Sequence, residues 1–126
     1  MIDKGLKLLV LLPALLFLST GLRWLAAPAG VAPDFGLTLE TGIGLSSQVG
    51  DMAGFFLTLG LCILLALVTN RRVWYYPAML LLLLTAIGRI LAWLFHDAAL
   101  ATELIAPEIF VFLILLVASR RLPSRE

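Results

Sequence analysis

Four ionisable residues stand inside long apolar runs of this sequence: Arg23, Asp51, Arg89 and Glu108. Charged side chains in such surroundings are costly unless they meet a partner. A carboxylate there can exchange a proton or pair with a cation. A guanidinium can bind an anion or donate hydrogen bonds to two carboxylates at once. The chemistry that these residue types allow is therefore ion pairing, proton exchange or the binding of a charged ligand.

The apolar runs that carry these charges are long enough to cross a lipid bilayer. The chain has 126 residues, of which 62% are hydrophobic and 13% charged, whereas about a quarter of a soluble domain is charged. A helix of about 20 apolar residues spans the hydrocarbon core. The sequence therefore predicts an all-α, integral membrane four-helix bundle that forms one domain over residues 1–126. The predicted spans cover about residues 5–27, 45–68, 74–95 and 102–119.

The basic residues favour one orientation of this bundle. Most of them precede the first span, connect the second to the third, or follow the fourth: Lys4, Lys7, Arg71, Arg72, Arg120, Arg121 and Arg125. The opposite side carries acidic residues and no Lys: Asp34, Glu40, Asp97 and Glu103. Under the positive-inside rule both termini are cytoplasmic. This pattern predicts a multi-pass membrane protein.

The four intramembrane charges share one predicted depth. At a rise of about 1.5 Å per residue, each lies about 6–9 Å inside the outer boundary of the hydrocarbon core. Four charges at one level predict a buried charged layer near the outer leaflet. The first interpretation of this layer is structural, as ion pairs that fix the helix register. The alternatives are a water-accessible cavity that opens outward and a contact with another subunit.

Polar residues accompany these charges on the second and third spans: Ser47, Thr58, Thr85 and His96. Ser47 and Thr58 share one helix face with Asp51, and Thr85 and His96 share another with Arg89. Each of these two polar stripes is expected to face the bundle interior, because lipid would leave its hydrogen-bonding groups unsatisfied. An ion pair between Asp51 and Arg89 is the contact expected first, and Arg89 can also reach Glu108. Gly50 and Gly54 form a G-x-x-x-G step on the same span, and either packing within the bundle or dimerisation explains it.

Aromatic residues lie near the predicted ends of the spans, among them Trp24, Trp74 and Trp93. Amphipathic rings at such positions settle at the level of the lipid headgroups. These residues are therefore expected to anchor the bundle at the two membrane surfaces.

The stretch from Asp34 to Arg121 resembles a family of small bacterial four-helix membrane proteins known only as a domain of unknown function. The pattern that carries the resemblance is a Gly-rich second helix, a basic turn, a third helix that ends in Gly-Arg, an early acid in the last helix and a closing Arg pair: Gly42 to Gly60, Asn70-Arg71-Arg72, Gly88-Arg89-Ile90-Leu91, Glu108 and Arg120-Arg121. More loosely, the layout is similar to the DoxX-like group of four-helix membrane proteins. The resemblance implies the fold and a location in the bacterial inner membrane, points to Arg89 and Glu108, and implies no activity.

The sequence contains no motif for a catalytic nucleophile, a phosphate loop or a metalloprotease. His96 and Cys62 are each alone of their kind, so no metal site, cofactor or catalytic residue is expected. The net charge of +1 gives nucleic acid no basic surface to bind.

Three functions are compatible with this pattern. The leading hypothesis is a non-catalytic accessory or assembly subunit of a larger membrane complex, or a homo-oligomer, with the lipid bilayer as its surroundings. The alternative is a small transporter, channel or lipid-like ligand-binding protein that uses Asp51, Arg89 and Glu108. An enzyme acting on a lipid-like substrate comes third, because no recognisable catalytic arrangement supports it.

Overall fold

The computed structural model describes residues 2–125, which fold into helices and their connections without any β-strand. The α-helices are α1 (Ile2–Ala26), α2 (Pro28–Val31), α3 (Gly42–Thr69), α4 (Tyr75–Phe95) and α5 (Thr102–Arg121). Two 3₁₀ helices lie in the connections, at Ala32–Phe35 and Arg72–Trp74. Four helices, α1, α3, α4 with its preceding 3₁₀ turn, and α5, are long and apolar enough to cross a membrane. The prediction of an all-helical bundle with four candidate spans is confirmed.

The four long helices form a ring in chain order. The closest packing is of α1 on α3 and of α4 on α5, and contacts of α3 with α4 and of α1 with α5 close the ring. Ile2 and Arg121 line one surface hollow, and the Arg125 amide donates to the Asn70 carbonyl at 2.8 Å. Both chain ends and the α3–α4 connection therefore lie together at what we call the terminal end. The opposite end, with residues 27–41 and 96–101, is the loop end.

Two glycines set the close approach of α1 and α3. A Cβ atom on Gly60 would lie 2.7 Å from Leu18 Cγ and 3.0 Å from the Ala14 carbonyl oxygen. A Cβ atom on Gly21 would lie 2.7 Å from Leu57 Cγ. Because small residues allow helix backbones to approach closely, these glycines fix which face of α3 points toward α1.

The segment between α1 and α3 folds back over the end of α1. Pro28 opens α2, as its fixed φ angle favours at a first helical position, and Gly36 ends the following 3₁₀ helix with φ 70°. The reversal buries Val31 and Ala32 completely. The connection from α1 to α3 thus contains one helical turn, one 3₁₀ helix and a stretch without regular structure at residues 37–41.

Trp24 lies under this folded-back segment, in the core of the protein. Its side chain is fully buried, and its ring packs on Phe35 with 6.3 Å between centroids. The prediction that Trp24 anchors the bundle at a membrane surface is therefore wrong. The reason is that residues 28–36 cover the position that would otherwise face the lipid headgroups.

Candidate functional site: a charged cavity at the loop end

Arg89 and Glu108 form the less exposed of the two ion pairs in the described part of the chain. Arg89 Nε donates to Glu108 Oε1 at 3.1 Å and to Oε2 at 3.3 Å, from α4 to the adjacent α5. The two side chains are only 26% and 14% exposed, so both charges have left most of their water. A charge-assisted hydrogen bond in this setting is stronger than one between neutral groups.

The predicted ion pair between Asp51 and Arg89 is absent, and Glu108 takes the place of Asp51. Asp51 is exposed on the outside of the bundle and has no ion pair or hydrogen bond with any residue between 2 and 125. The cause is the rotation of α3, which turns Gly60 and the buried Phe56 and Leu59 inward. Asp51 lies on the opposite side of the same helix.

The two predicted polar stripes therefore have different positions. On α3, Ser47 and Thr58 are exposed together with Asp51, so the prediction that this stripe faces the interior is wrong. On α4, Thr85 is half-buried, and its hydroxyl donates to the Leu81 carbonyl of its own helix at 2.6 Å. His96 is exposed at the end of α4, where its backbone amide donates to the Ala92 carbonyl at 2.9 Å.

A second, weaker ion pair joins α1 to the folded-back segment. Arg23 Nη2 lies 3.5 Å from Asp34 Oδ2 and 3.3 Å from the Gly30 carbonyl oxygen. Arg23 and Asp34 are 49% and 60% exposed, so solvent screens this pair much more than the pair on α4 and α5. Asp34 was counted in the sequence as an outer-side charge, and its contact with Arg23 depends on the turn at Pro28.

A cavity of about 290 Å³ lies between the two ion pairs. Three helices line it with residues from stretches of eight, from Leu16 to Arg23, from Leu82 to Arg89 and from Leu104 to Val111. At about 1.5 Å per residue, each stretch is about 10 Å long. The cavity is therefore apolar at its depth and carries charges at its mouth.

Aromatic rings form one wall of this cavity: Phe17, Phe35, Phe55 and Phe56. Phe56 is their centre, with ring centroids at 5.0 Å from Phe55, 5.2 Å from Phe35 and 6.0 Å from Phe17. These tilted and edge-on arrangements are the ones that aromatic pairs favour. Sequence reasoning missed this wall. The adjacent Phe55-Phe56 pair at the depth of Arg23 was the available signal.

The mouth of the cavity leads into a wider hollow at the loop end. This hollow measures about 580 Å³ and shares Asp34, Phe35, Arg89 and Leu104 with the inner cavity. Arg89 thus lies at the boundary between the two spaces. A molecule that reaches the inner cavity from the loop end passes the Arg89 side chain.

The site combines charge with apolar volume. Among residues 2–125, no group of three or more His, Cys, Asp or Glu side chains is placed to hold a metal ion. The mouth carries Arg23 and Arg89 against Asp34 and Glu108, so its formal charges cancel. This arrangement can hold a polar head that both donates and accepts hydrogen bonds, with an apolar body below it.

Comparison with known proteins gives no relative from which a role could be transferred. The chain matches no model of a known family, no curated protein and no solved structure. The resemblance to small four-helix membrane proteins thus stays a prediction, and the cavity geometry is the ground on which a function can be argued.

Proposed function

We propose that this chain is a non-catalytic membrane protein that binds a small amphiphile in the cavity at the loop end. The observation that carries the proposal is the division of the cavity wall into an apolar depth and a charged mouth. An amphiphile satisfies both parts, because its body leaves water while its head keeps polar partners. A volume of about 290 Å³ is near the lower end for ligand sites, which favours a compact molecule or the head portion of a longer lipid.

The charges at the mouth favour a zwitterionic or neutral head over one with a large net charge. Arg89 is held by Glu108 and Arg23 by Asp34, so neither guanidinium is an unbalanced anion site. A head that carries both an anionic oxygen and a donor group can exchange hydrogen bonds with both members of a pair. This sets the present site apart from a simple anion pocket.

The proposed orientation places the cavity mouth on the outer side of a bacterial inner membrane. Lys4, Arg72 and Arg121, with the other basic residues of the terminal end, support cytoplasmic termini under the positive-inside rule. The ligand would then reach the wide hollow from the outer leaflet or from the space outside it.

Native mass spectrometry of the purified full chain tests this proposal. Lysophosphatidylethanolamine, a single-chain zwitterionic amphiphile, is titrated into protein in mild detergent. Val111→Phe places a ring in the cavity, and Val117→Phe is the matched control because Val117 is exposed on the outside of the same helix. We expect one bound probe in the wild type, and at least about tenfold weaker binding in V111F alone.

Two results would contradict the proposal. Equal binding by V111F and V117F would place the probe on the bundle surface. A wild-type protein that retains neither a co-purifying amphiphile nor the added probe would mean that the cavity is a packing defect.

A second candidate function is that of an accessory or assembly subunit of a membrane complex. The observation that favours it is the exposed polar face of α3, because polar groups that contact only lipid are costly in a membrane. Affinity purification of the tagged chain from its native membrane tests it. A partner in fixed stoichiometry is expected, and purification of the chain alone would count against this role.

A further inference from the structure

The outside of α3 carries a polar face that the bundle itself does not use. Asp51, Gly54 and Thr58 follow the i, i+3, i+7 spacing that places residues on one side of a helix, and Ser47 precedes Asp51 by one turn. All of them are exposed. From Ser47 to Thr58 the face extends about 16 Å along the helix. We call these residues, with Gly50, the outer α3 face.

The backbone along this face is open to close approach. A Cβ atom on Gly50 or Gly54 would meet no other atom within 4 Å, whereas one on Gly60 would collide with α1. The G-x-x-x-G step therefore plays no part in packing within the bundle. Small residues at such spacing are typical of contacts between transmembrane helices.

Asp51 gives this face its chemical character. It is an acidic side chain within a candidate membrane span and has no ion pair with any described residue. A carboxylate in hydrocarbon is costly when unpaired, and intramembrane charges are usually matched by an opposite charge or a polar cavity. The residue that best complements Asp51 is a Lys or Arg at the same depth.

This chain offers no such cation to a second copy of itself. The two cations in the interior of the candidate spans are Arg23 and Arg89, and each is already paired with a carboxylate of its own chain. A symmetric dimer through the outer α3 face would bring two Asp51 carboxylates together, which like charges oppose. Charge complementarity thus favours a partner of different sequence.

We propose that the outer α3 face binds a transmembrane helix of another protein, one that carries a Lys or Arg at the level of Asp51. The partner helix packs over Gly50 and Gly54, and its cation pairs with Asp51 while Ser47 and Thr58 offer hydroxyl groups on either side. This inference rests on the proposed role as a subunit and is independent of ligand binding in the cavity.

Site-specific photo-crosslinking of the full chain in its native membrane tests the inference. p-Benzoylphenylalanine replaces Thr58 in one variant and Gly88 in the control, because Gly88 is also exposed with open space around it, but on α4. We expect one discrete adduct from position 58 and none from position 88. Mass spectrometry of the adduct should identify a transmembrane segment that contains a Lys or Arg.

The dependence on charge is measured in the same membranes. Asp51→Asn should lower the yield at position 58 by about fivefold or more, and Asp51→Glu should retain most of it. Because Asp51 has no polar side-chain contact with any residue between 2 and 125, both variants are expected to fold, and their thermal unfolding curves should match that of the wild type.

The possible outcomes separate this inference from the function on which it rests. An adduct with a second copy, an adduct with lipid only, or a yield unaffected by Asp51→Asn would overturn the proposed interface. If a partner co-purifies with the chain but crosslinks through another surface, the interface is wrong and the subunit role stands. If no partner co-purifies, both fail.

Discussion

The two ends of this bundle differ in how completely their interiors are filled. Toward the terminal end, Val10, Ile63 and Leu115 are fully buried, and the contact between α1 and α3 leaves no room for a Cβ atom on Gly60. Toward the loop end, the same helices surround a cavity of about 290 Å³ with two ion pairs at its mouth. Dense packing stabilises a fold, whereas unfilled volume and desolvated charge are features of binding sites.

Under the proposed function, this difference separates the half of the bundle that contributes most to stability from the half that binds the ligand. Stability is not uniform across a protein, and binding regions are drawn from its less stable parts. Mutations in the terminal half should therefore act on unfolding, and those in the loop half on ligand binding.

The largest expected effect comes from shortening a fully buried side chain in the terminal half. Leu115→Ala should lower the free energy of unfolding by about 2–5 kcal/mol, because it opens a cavity where none exists. Leu104→Ala, at the half-buried wall of the existing cavity, should cost less than about 1.5 kcal/mol. Circular dichroism during SDS denaturation of protein in mild detergent measures both. Equal losses in the free energy of unfolding would show that the two halves of the bundle do not differ in how completely they are packed.

A smaller effect is expected from adding one methyl group to α3. Gly60→Ala should cost about 1–3 kcal/mol, because the backbone oxygen of Ala14 cannot move aside as a flexible side chain can. Gly54→Ala, on the open face of the same helix, should change stability by less than about 0.5 kcal/mol. The same denaturation assay compares them, and a tolerant Gly60 would show that the α1–α3 contact is looser than the distances indicate.

The next effect concerns the charged pair that closes the cavity. Arg89→Gln should cost about 1–2 kcal/mol through the loss of a charge-assisted hydrogen bond. In a double-mutant cycle, Arg89→Gln and Glu108→Gln should show coupling of at least about 0.5 kcal/mol, since the two side chains touch. The cycle of Arg89→Gln with Asp51→Asn serves as control and should be additive. Coupling in the control would indicate a contact between Arg89 and Asp51, which the structure does not contain.

The smallest effect is expected for the exposed ion pair. Arg23→Gln should cost less than about 1 kcal/mol, because solvent-exposed pairs gain little over their interactions with water. This cost in the free energy of unfolding should be smaller still in high salt, which screens exposed charges most. A cost equal to that of Arg89→Gln would mean that the loop segment depends on Arg23 for its position.

The fold was predictable because length and hydropathy alone define four spans. Residue counting also predicted that Arg23, Arg89 and Glu108 lie near one another along the bundle, and these three residues do line one cavity. What the sequence could not supply is the rotation of α3. The loop-end half of α3 carries Phe55, Phe56 and Leu59 on one side and Asp51 and Thr58 on the other. A prediction from polarity alone chooses the side of Asp51 and Thr58 as the interior, and that choice is wrong.

The rotation of α3 about its axis depends on how residues that are distant in the sequence fit together. Gly21 and Gly60 lie far apart in sequence, and only their joint approach to the opposite helix selects the buried face. The folded-back segment is a similar case, because the contact of Asp34 with Arg23 and the burial of Trp24 depend on the path of residues 28–36.

The burial of Trp24 against Phe35 gives the protein an intrinsic fluorescent reporter. Phe35 lines both the inner cavity and the wide hollow, so a movement of this ring changes the surroundings of the indole directly. Trp93 is exposed and Trp74 half-buried, and a chain with Phe at both positions would emit from Trp24 alone. Changes in its emission wavelength would then report, without any attached dye, a displacement of the Phe35 ring when a molecule enters the cavity.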